Sequence, residues 1–228
     1  MPSDRYSIWQ EFYKKNGHQL FYFPAYQITA NHLDYDLLIS GLNQLTTSSW
    51  VIFTSRHAVP YLPSSWLQII RDNSIPIACI GPSTFQACTE AGMNVYLTMP
   101  YGSTSESLLK HEYFTPQSIE KNEIIIASGL GGRDFLESEL ILRGAFVTKY
   151  ALYKRKRTQD KLYYNKIMTW GINALTVTSL ESWQHIRERA EPKAIHFLKK
   201  QKVFTLSQRI SKALSDEGFR DIKIIEPI

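Results

Sequence analysis

Short β-rich runs alternate with amphipathic stretches along almost the whole chain, and few architectures accept that order. Strand-like runs fall at 19–28, 50–55, 76–80, 94–98, 123–128, 145–153, 173–179, 202–206 and 221–226. Between most of them the apolar spacing predicts helices over 35–45, 57–71, 83–91, 104–113, 133–143, 160–170, 180–189 and 208–217. Three of these helices close on Gly92, Gly144 or Gly218, where the missing Cβ makes a left-handed cap inexpensive. Strands that alternate with helices, rather than running in blocks, argue for an α/β fold on mostly parallel sheets.

Two runs are long for strands: "HQLFYFPAYQIT" (18–29) and "AFVTKYALYKRKR" (145–157). The first carries Pro24 midway, and a proline there suits a strand that leaves one sheet and continues elsewhere. If both runs are crossings, residues 27–153 form one inserted α/β domain, and residues 1–26 with 154–228 form a discontinuous one. The linker strands would then cover about 20–28 and 147–156, and a cleft between the domains is the natural ligand site. Two long strands in one large sheet are the alternative. The halves echo each other: "VIFTSRHAV" (51–59) resembles "LTVTSLESW" (175–183), and "IACIGPSTFQACTEAGMNVY" (77–96) resembles "VFTLSQRISKALSDEGFRDIKI" (203–224).

At 228 residues the chain suits one large or two small domains. No apolar run nears the roughly 18 residues of a membrane span, and the start lacks a signal peptide's pattern, so a cytoplasmic location is expected. Cys79 and Cys88 are the only cysteines; each sits in an apolar pattern and reads as a buried thiol. Net charge is +5, which fits an acidic ligand, while no nucleic-acid-binding scaffold is visible. The six histidines are scattered, so no metal is expected.

In parallel α/β sheets, ligands bind beyond the carboxyl ends of strands, where turns feed helix starts rich in unpaired N–H groups. Five turns qualify: Thr54-Ser55-Arg56, Gly81-Pro82-Ser83-Thr84, Ser128-Gly129-Leu130-Gly131-Gly132-Arg133, Thr178-Ser179 and Leu206-Ser207. A single such turn is usually only a helix cap; five in similar positions point to anion binding. The glycine turn fails the dinucleotide fingerprint, since Asp134 stands where the third glycine belongs, and no Gly-Lys-Ser/Thr loop occurs. Gly131 and Gly132 would let backbone amides approach an anion, with Arg133 adding fixed charge.

These turns in this order resemble the uroporphyrinogen-III synthase family. The matching pieces are "VIFTSRHAV", "IGPSTFQAC", "IIIASGLGGRDFLESELILRGAFVTKYALYKR", "VTS" and "SQRISKALSDEGFRDIKI". The resemblance implies two doubly wound, flavodoxin-like parallel-sheet domains joined by a two-stranded β linker. It implies a cofactor-free lyase of haem biosynthesis that cyclises hydroxymethylbilane, a linear tetrapyrrole bearing carboxylates, with inversion of ring D. Loss of hydroxide from ring A would give an azafulvene, which ring D attacks through its substituted carbon. Tyr153 matches the family's functional tyrosine; a phenol, with a reference pKa of about 10, keeps its proton at neutral pH and can donate to a leaving hydroxyl. Thr54, Ser55, Thr84, Arg133 and Ser179 would bind carboxylates, and Arg209 would add a contact where many relatives carry threonines. The partner is thus a small tetrapyrrole, with no nucleic acid or membrane, and a monomer is expected. Family members start with a β-strand ending Thr-Arg-Pro, whereas this sequence opens "MPSDRYS", as if that strand were missing and only its proline kept. It stops at "KIIEPI" without the usual last helix. A non-catalytic module that binds a tetrapyrrole or another polycarboxylate is the alternative.

Overall fold

A computed structural model describes residues 6–31, 45, 48–100, 104–132 and 134–225. Internal contacts divide the chain into two compact units: Met1–Gln27 with Lys156–Ile228, and Ile28–Arg155. The strands are β1 (Tyr26–Ala30), β2 (Trp50–Phe53), β3 (Ile77–Ile80), β4 (Val95–Met99), β5 (Glu123–Gly129), β6 (Phe146–Arg157), β7 (Ala174–Val177), β8 (Lys202–Thr205) and β9 (Ile222–Ile224). The boundaries between the units fall inside β1 and inside β6.

The larger sheet has the order β1-β6-β5-β2-β3-β4, and β2 pairs in parallel with both β3 and β5. β3–β4 and β5–β6 are parallel too. Strands of a parallel sheet covered on both faces are apolar throughout, and β2 shows this: all of Trp-Val-Ile-Phe is buried. Alternation then sorts side chains to opposite faces. Val51, Phe53, Ile77, Cys79, Ile125 and Ala127 join Trp66 and Ile70 in one core. Ile52, Ala78, Ile124 and Ile126 join Phe114, Ile119 and Leu140 in another. Helix Ser64–Asp72 belongs to the first layer, and helix Phe135–Leu142 to the second. The unit is therefore doubly wound.

The smaller sheet is β7-β8-β9, again parallel. Its core gathers Ile167, Trp183, Leu198, Val203, Leu214 and Phe219. Helices Leu180–Arg189 and Gln208–Asp216 follow β7 and β8, as a βαβ chain requires. Helix Tyr6–Lys15 brings the Tyr13 hydroxyl to 2.8 Å from the Thr176 hydroxyl on β7.

Several elements depart from expectation. The run at 19–28 is strand only from Tyr26, and residues 18–24 carry no ladder assignment; Pro24 offers no N–H to a ladder and restricts its predecessor. The long helix over 57–71 splits into a 3-10 segment, Arg56–Tyr61, and the helix Ser64–Asp72, because Pro60 and Pro63 each remove a backbone donor. Residues 104–113 hold only the short helix Ser105–Leu108 and the start of a 3-10 turn, Glu112–Phe114. Helix Tyr164–Trp170 starts four residues later than the pattern suggested. Helices Tyr6–Lys15 and Pro192–Leu198 were not anticipated. The helix expected over 35–45 lies outside the described residues, apart from Leu45. Among the described residues no helix is long and apolar enough to cross a membrane, and no group of side chains could hold a metal ion. Cys79 and Cys88 are fully buried, with Sγ atoms 3.5 Å apart. The contact with Cys88, then burial, pushes the Cys79 thiol far above its usual range.

Candidate functional site

Because β6, β5, β2 and β3 are adjacent and parallel, their carboxyl ends share one edge of the sheet. Neighbouring strands lie about 4.8 Å apart, so four ends make a row about 14 Å long. Across that row stand Tyr153 on β6, the glycine turn after β5, Thr54-Ser55 after β2, and the turn after β3. The chain lays β3 and β4 to one side of β2, then β5 and β6 to the other. A crevice opens where strand order reverses in this way, and here Thr54-Ser55 and the glycine turn flank it.

Local chemistry fixes each turn. Ser55, extended at φ −159°, caps the segment that follows by accepting from the His57 N–H at 3.3 Å. Thr54 is tied to β5, its N–H and its hydroxyl both donating to the Ala127 carbonyl, at 3.2 and 3.4 Å. Gly81 takes φ +89° and no side chain caps helix Pro82–Glu90. Thr84 is 2% exposed, and its hydroxyl donates to the Ile80 carbonyl at 2.9 Å. That hydroxyl serves the fold, leaving half-buried Ser83 as the more accessible hydroxyl of the turn.

The glycine turn is shaped around Tyr153. The β5–β6 register shifts between Ser128 and Gly129, which sets Gly129 opposite Tyr153. A Cβ on Gly129 would lie 2.5 Å from Tyr153 Cζ and 2.8 Å from its hydroxyl oxygen, so only glycine admits the ring. The Leu130 N–H donates to the Tyr153 carbonyl at 2.8 Å. Gly131 needs its glycine for backbone reasons, at φ +79° in open space, whereas a Cβ on Gly132 would make ordinary contact. Lys149 on β6 pairs with Asp134 and with Glu137, the latter at 3.5 Å, which anchors the helix after the turn. Arg133 lies outside the described residues.

Tyr153 is 5% exposed, with His57 edge-on at 5.7 Å and Tyr61 stacked at 6.5 Å. Its hydroxyl makes no hydrogen bond with any described residue. The neighbouring Ser128 hydroxyl is buried and likewise has no partner among the described residues. Leaving a buried hydroxyl such as that of Ser128 unsatisfied costs about 1–3 kcal/mol. Ser128, His57 and Tyr61 were not singled out as site residues from sequence. Ser128 stood in the glycine turn as a possible cap, whereas His57 and Tyr61, four apart in "SRHAVPYL", gave no signal beyond that spacing.

In the smaller unit, Ser179 caps helix Leu180–Arg189 by accepting from the Ser182 N–H at 3.1 Å. Ser207 caps the next helix by accepting from Ile210 at 3.4 Å. Exposed Arg209 sits in the first turn of that helix, where its charge adds to the positive end of the helix dipole. β7 and β8 are parallel neighbours, so these two turns emerge side by side. The structure thus groups the candidates by unit: Tyr153, Thr54, Ser55, Thr84, Gly131 and Gly132 in one, Ser179 and Arg209 in the other.

Known proteins share this pattern. The family model described as uroporphyrinogen-III synthase HemD matches residues 9–226. A uroporphyrinogen-III synthase of Salmonella typhimurium is 27% identical over 219 residues, covering 92% of this chain and 86% of that protein. One of Proteus mirabilis is 29% identical over 143 residues, covering 61% of this chain and 69% of the relative. Among solved structures, a uroporphyrinogen-III synthetase of Helicobacter pylori superposes with a TM-score of 0.58 at 14% identity, over 90% of this chain and 85% of that one. A mutant uroporphyrinogen III synthase of Thermus thermophilus gives 0.54 at 15% identity, over 98% and 89%. The two structures bear on the fold alone; the match over residues 9–226 bears on the family. This chain belongs to the uroporphyrinogen-III synthase family.

Proposed function

We propose that this chain closes hydroxymethylbilane to uroporphyrinogen III, using the row of turns at the carboxyl edge of the larger sheet. The observation that carries the assignment of that edge is the Tyr153–Gly129 contact: a glycine is required so that a phenol can rest against an amide-rich turn. In this reading the Tyr153 hydroxyl donates to the hydroxyl leaving ring A, a step of general acid catalysis that contributes about 10²–10⁴-fold. Among the described residues that hydroxyl has no hydrogen-bond partner, which supports assigning it to substrate. Thr54, Ser55, Ser83 and the amides around Gly131 and Gly132 bind carboxylate side chains, with Arg133, Ser179 and Arg209 supplying further contacts. Thr84 acts indirectly, holding the turn after β3 in place. Dispersed single-hydroxyl and single-amide sites suit a ligand whose charges are themselves dispersed, and holding that ligand curled supplies rate by proximity.

The test is an assay of product isomers with the native chain. Uroporphyrinogen III in excess over the spontaneously closed type I isomer supports turnover. Only type I product, alongside measurable binding of the linear substrate, would leave the non-catalytic module as the better reading.

A further inference from the structure

β6 runs on past the end of β5, and what it presents there is basic. Its register with β5 ends at Gly129 opposite Tyr153, yet the strand continues to Arg157 through Lys154, Arg155 and Lys156. Elsewhere on β6 the cations are paired. Lys149 meets Asp134 and Glu137, and Arg157 meets Glu188 at 3.7 Å. Among the described residues Lys154, Arg155 and Lys156 make no ion pair. Arg155 and Lys156 are exposed.

Strand alternation separates these three cations. Side chains two residues apart share a face, so Arg155 projects on the face of Tyr153, whereas Lys154 and Lys156 project on the other. The register shift of the β5–β6 ladder precedes Tyr153, so this stretch lies beyond it. Backbone groups of successive residues alternate too, from one edge of a strand to the other. The Leu152 carbonyl accepts from the Asn31 N–H at 3.0 Å, on the β1 side. The Tyr153 carbonyl accepts from the Leu130 N–H at 2.8 Å, on the β5 side. Arg155 is therefore turned like Tyr153, with its own N–H directed to the side where β5 has ended and the glycine turn begins. Both residues belong to the larger unit, and two strand residues separate their Cα atoms by about 6.6 Å.

We propose that Arg155 binds a carboxylate of the ring whose hydroxyl meets Tyr153. The inference rests on the catalytic reading above and adds a charged contact to it. Arginine suits the task because its planar fork matches a carboxylate with two parallel donors, and the N–H of the same residue is directed toward the amide-rich turn. The carboxylate takes no part in bond breaking, so Arg155 holds it equally before and during departure of the hydroxyl. Such a contact acts on substrate binding and leaves the chemical step unchanged.

The test compares Arg155→Gln with Lys156→Gln, which removes the same charge one residue further on, from the opposite face. KM for hydroxymethylbilane should rise about 5-fold or more in Arg155→Gln, with kcat held to within about twofold, and stay near native in Lys156→Gln. Arg155→Lys keeps the charge without the fork, so its KM should fall between those of the native chain and Arg155→Gln. Both positions are exposed, and melting temperatures should match the native one. Affinity for hydroxymethylbilane is measured beside KM, which keeps two failures apart. A native chain that binds without turnover would sink the catalytic reading, whereas unchanged affinity in Arg155→Gln would sink the contact alone. Equal losses in the two glutamine variants would also overturn it, reducing the basic run to a general attractive field. So would a lysine variant that binds no better than the glutamine one.

Discussion

β2 and β7 begin the same motif in the two units, yet their surroundings differ. β2 lies between β3 and β5, and its four residues are all buried. Among the described residues β7 has one strand neighbour, β8, it lines a cavity, and only Val177 of its four residues is buried. Both strands end in Thr-Ser before a capped segment. The local sequence therefore sets the turn, whereas the number of strand neighbours sets how firmly that turn is held. A catalytic edge needs the first kind of support, which favours the proposal that the chemistry is carried by the larger unit.

Equal truncations should break this symmetry most strongly. Ile52→Ala in β2 removes a fully buried side chain and is expected to cost about 3–4 kcal/mol in urea unfolding. Leu175→Ala in β7 removes a half-buried one and should cost about 1–2 kcal/mol, since the cavity beside it already forfeits packing. Equal losses at the two sites would mean that the cavity lined by Leu175 does not weaken β7.

A smaller and more local effect is expected at the glycine turn. Gly129→Ala forces the Tyr153 ring to move, since the new methyl would lie 2.5 Å from its Cζ. Such overpacking costs about 1–3 kcal/mol. Turnover should fall more than substrate binding does if Tyr153 is the proton donor proposed above. Gly132→Ala, one turn further along, meets only ordinary contact and should leave both near native values. If the two variants behaved alike, the ring–glycine contact would have no special part.

The cap serines give the mildest comparison. Ser55→Ala and Ser179→Ala each remove one hydroxyl that accepts from a backbone N–H, at a stability cost of about 1 kcal/mol apiece. Because both also stand in the proposed binding turns, KM should rise for each while kcat holds. Unchanged KM in either variant would reduce that serine to a cap. The thiols offer a control: Cys79 and Cys88 are fully buried, and both should resist a thiol reagent until the larger unit unfolds.

Much of this could be read from the chain. The alternation of strand and helix patterns announced α/β units on parallel sheets, and Pro24 marked the interruption near the first crossing. Prolines also explain the clearest error, since Pro60 and Pro63 divide what looked like one helix. Thr84 was expected to face substrate, but its hydroxyl turns inward to Ile80, a choice between two acceptors that sequence does not encode. The partnership of Tyr153 with Gly129 depends on a register shift between strands, and His57 and Tyr61 join it only through packing.

The most direct measurement is the Tyr153→Phe variant, assayed for uroporphyrinogen III and for thermal stability together. The hydroxyl has no partner among the described residues, so its removal should leave the melting temperature unchanged or slightly raised, while formation of the type III isomer falls by about 100-fold or more. Native turnover in a stably folded Tyr153→Phe chain would contradict the account and move the proton donor elsewhere.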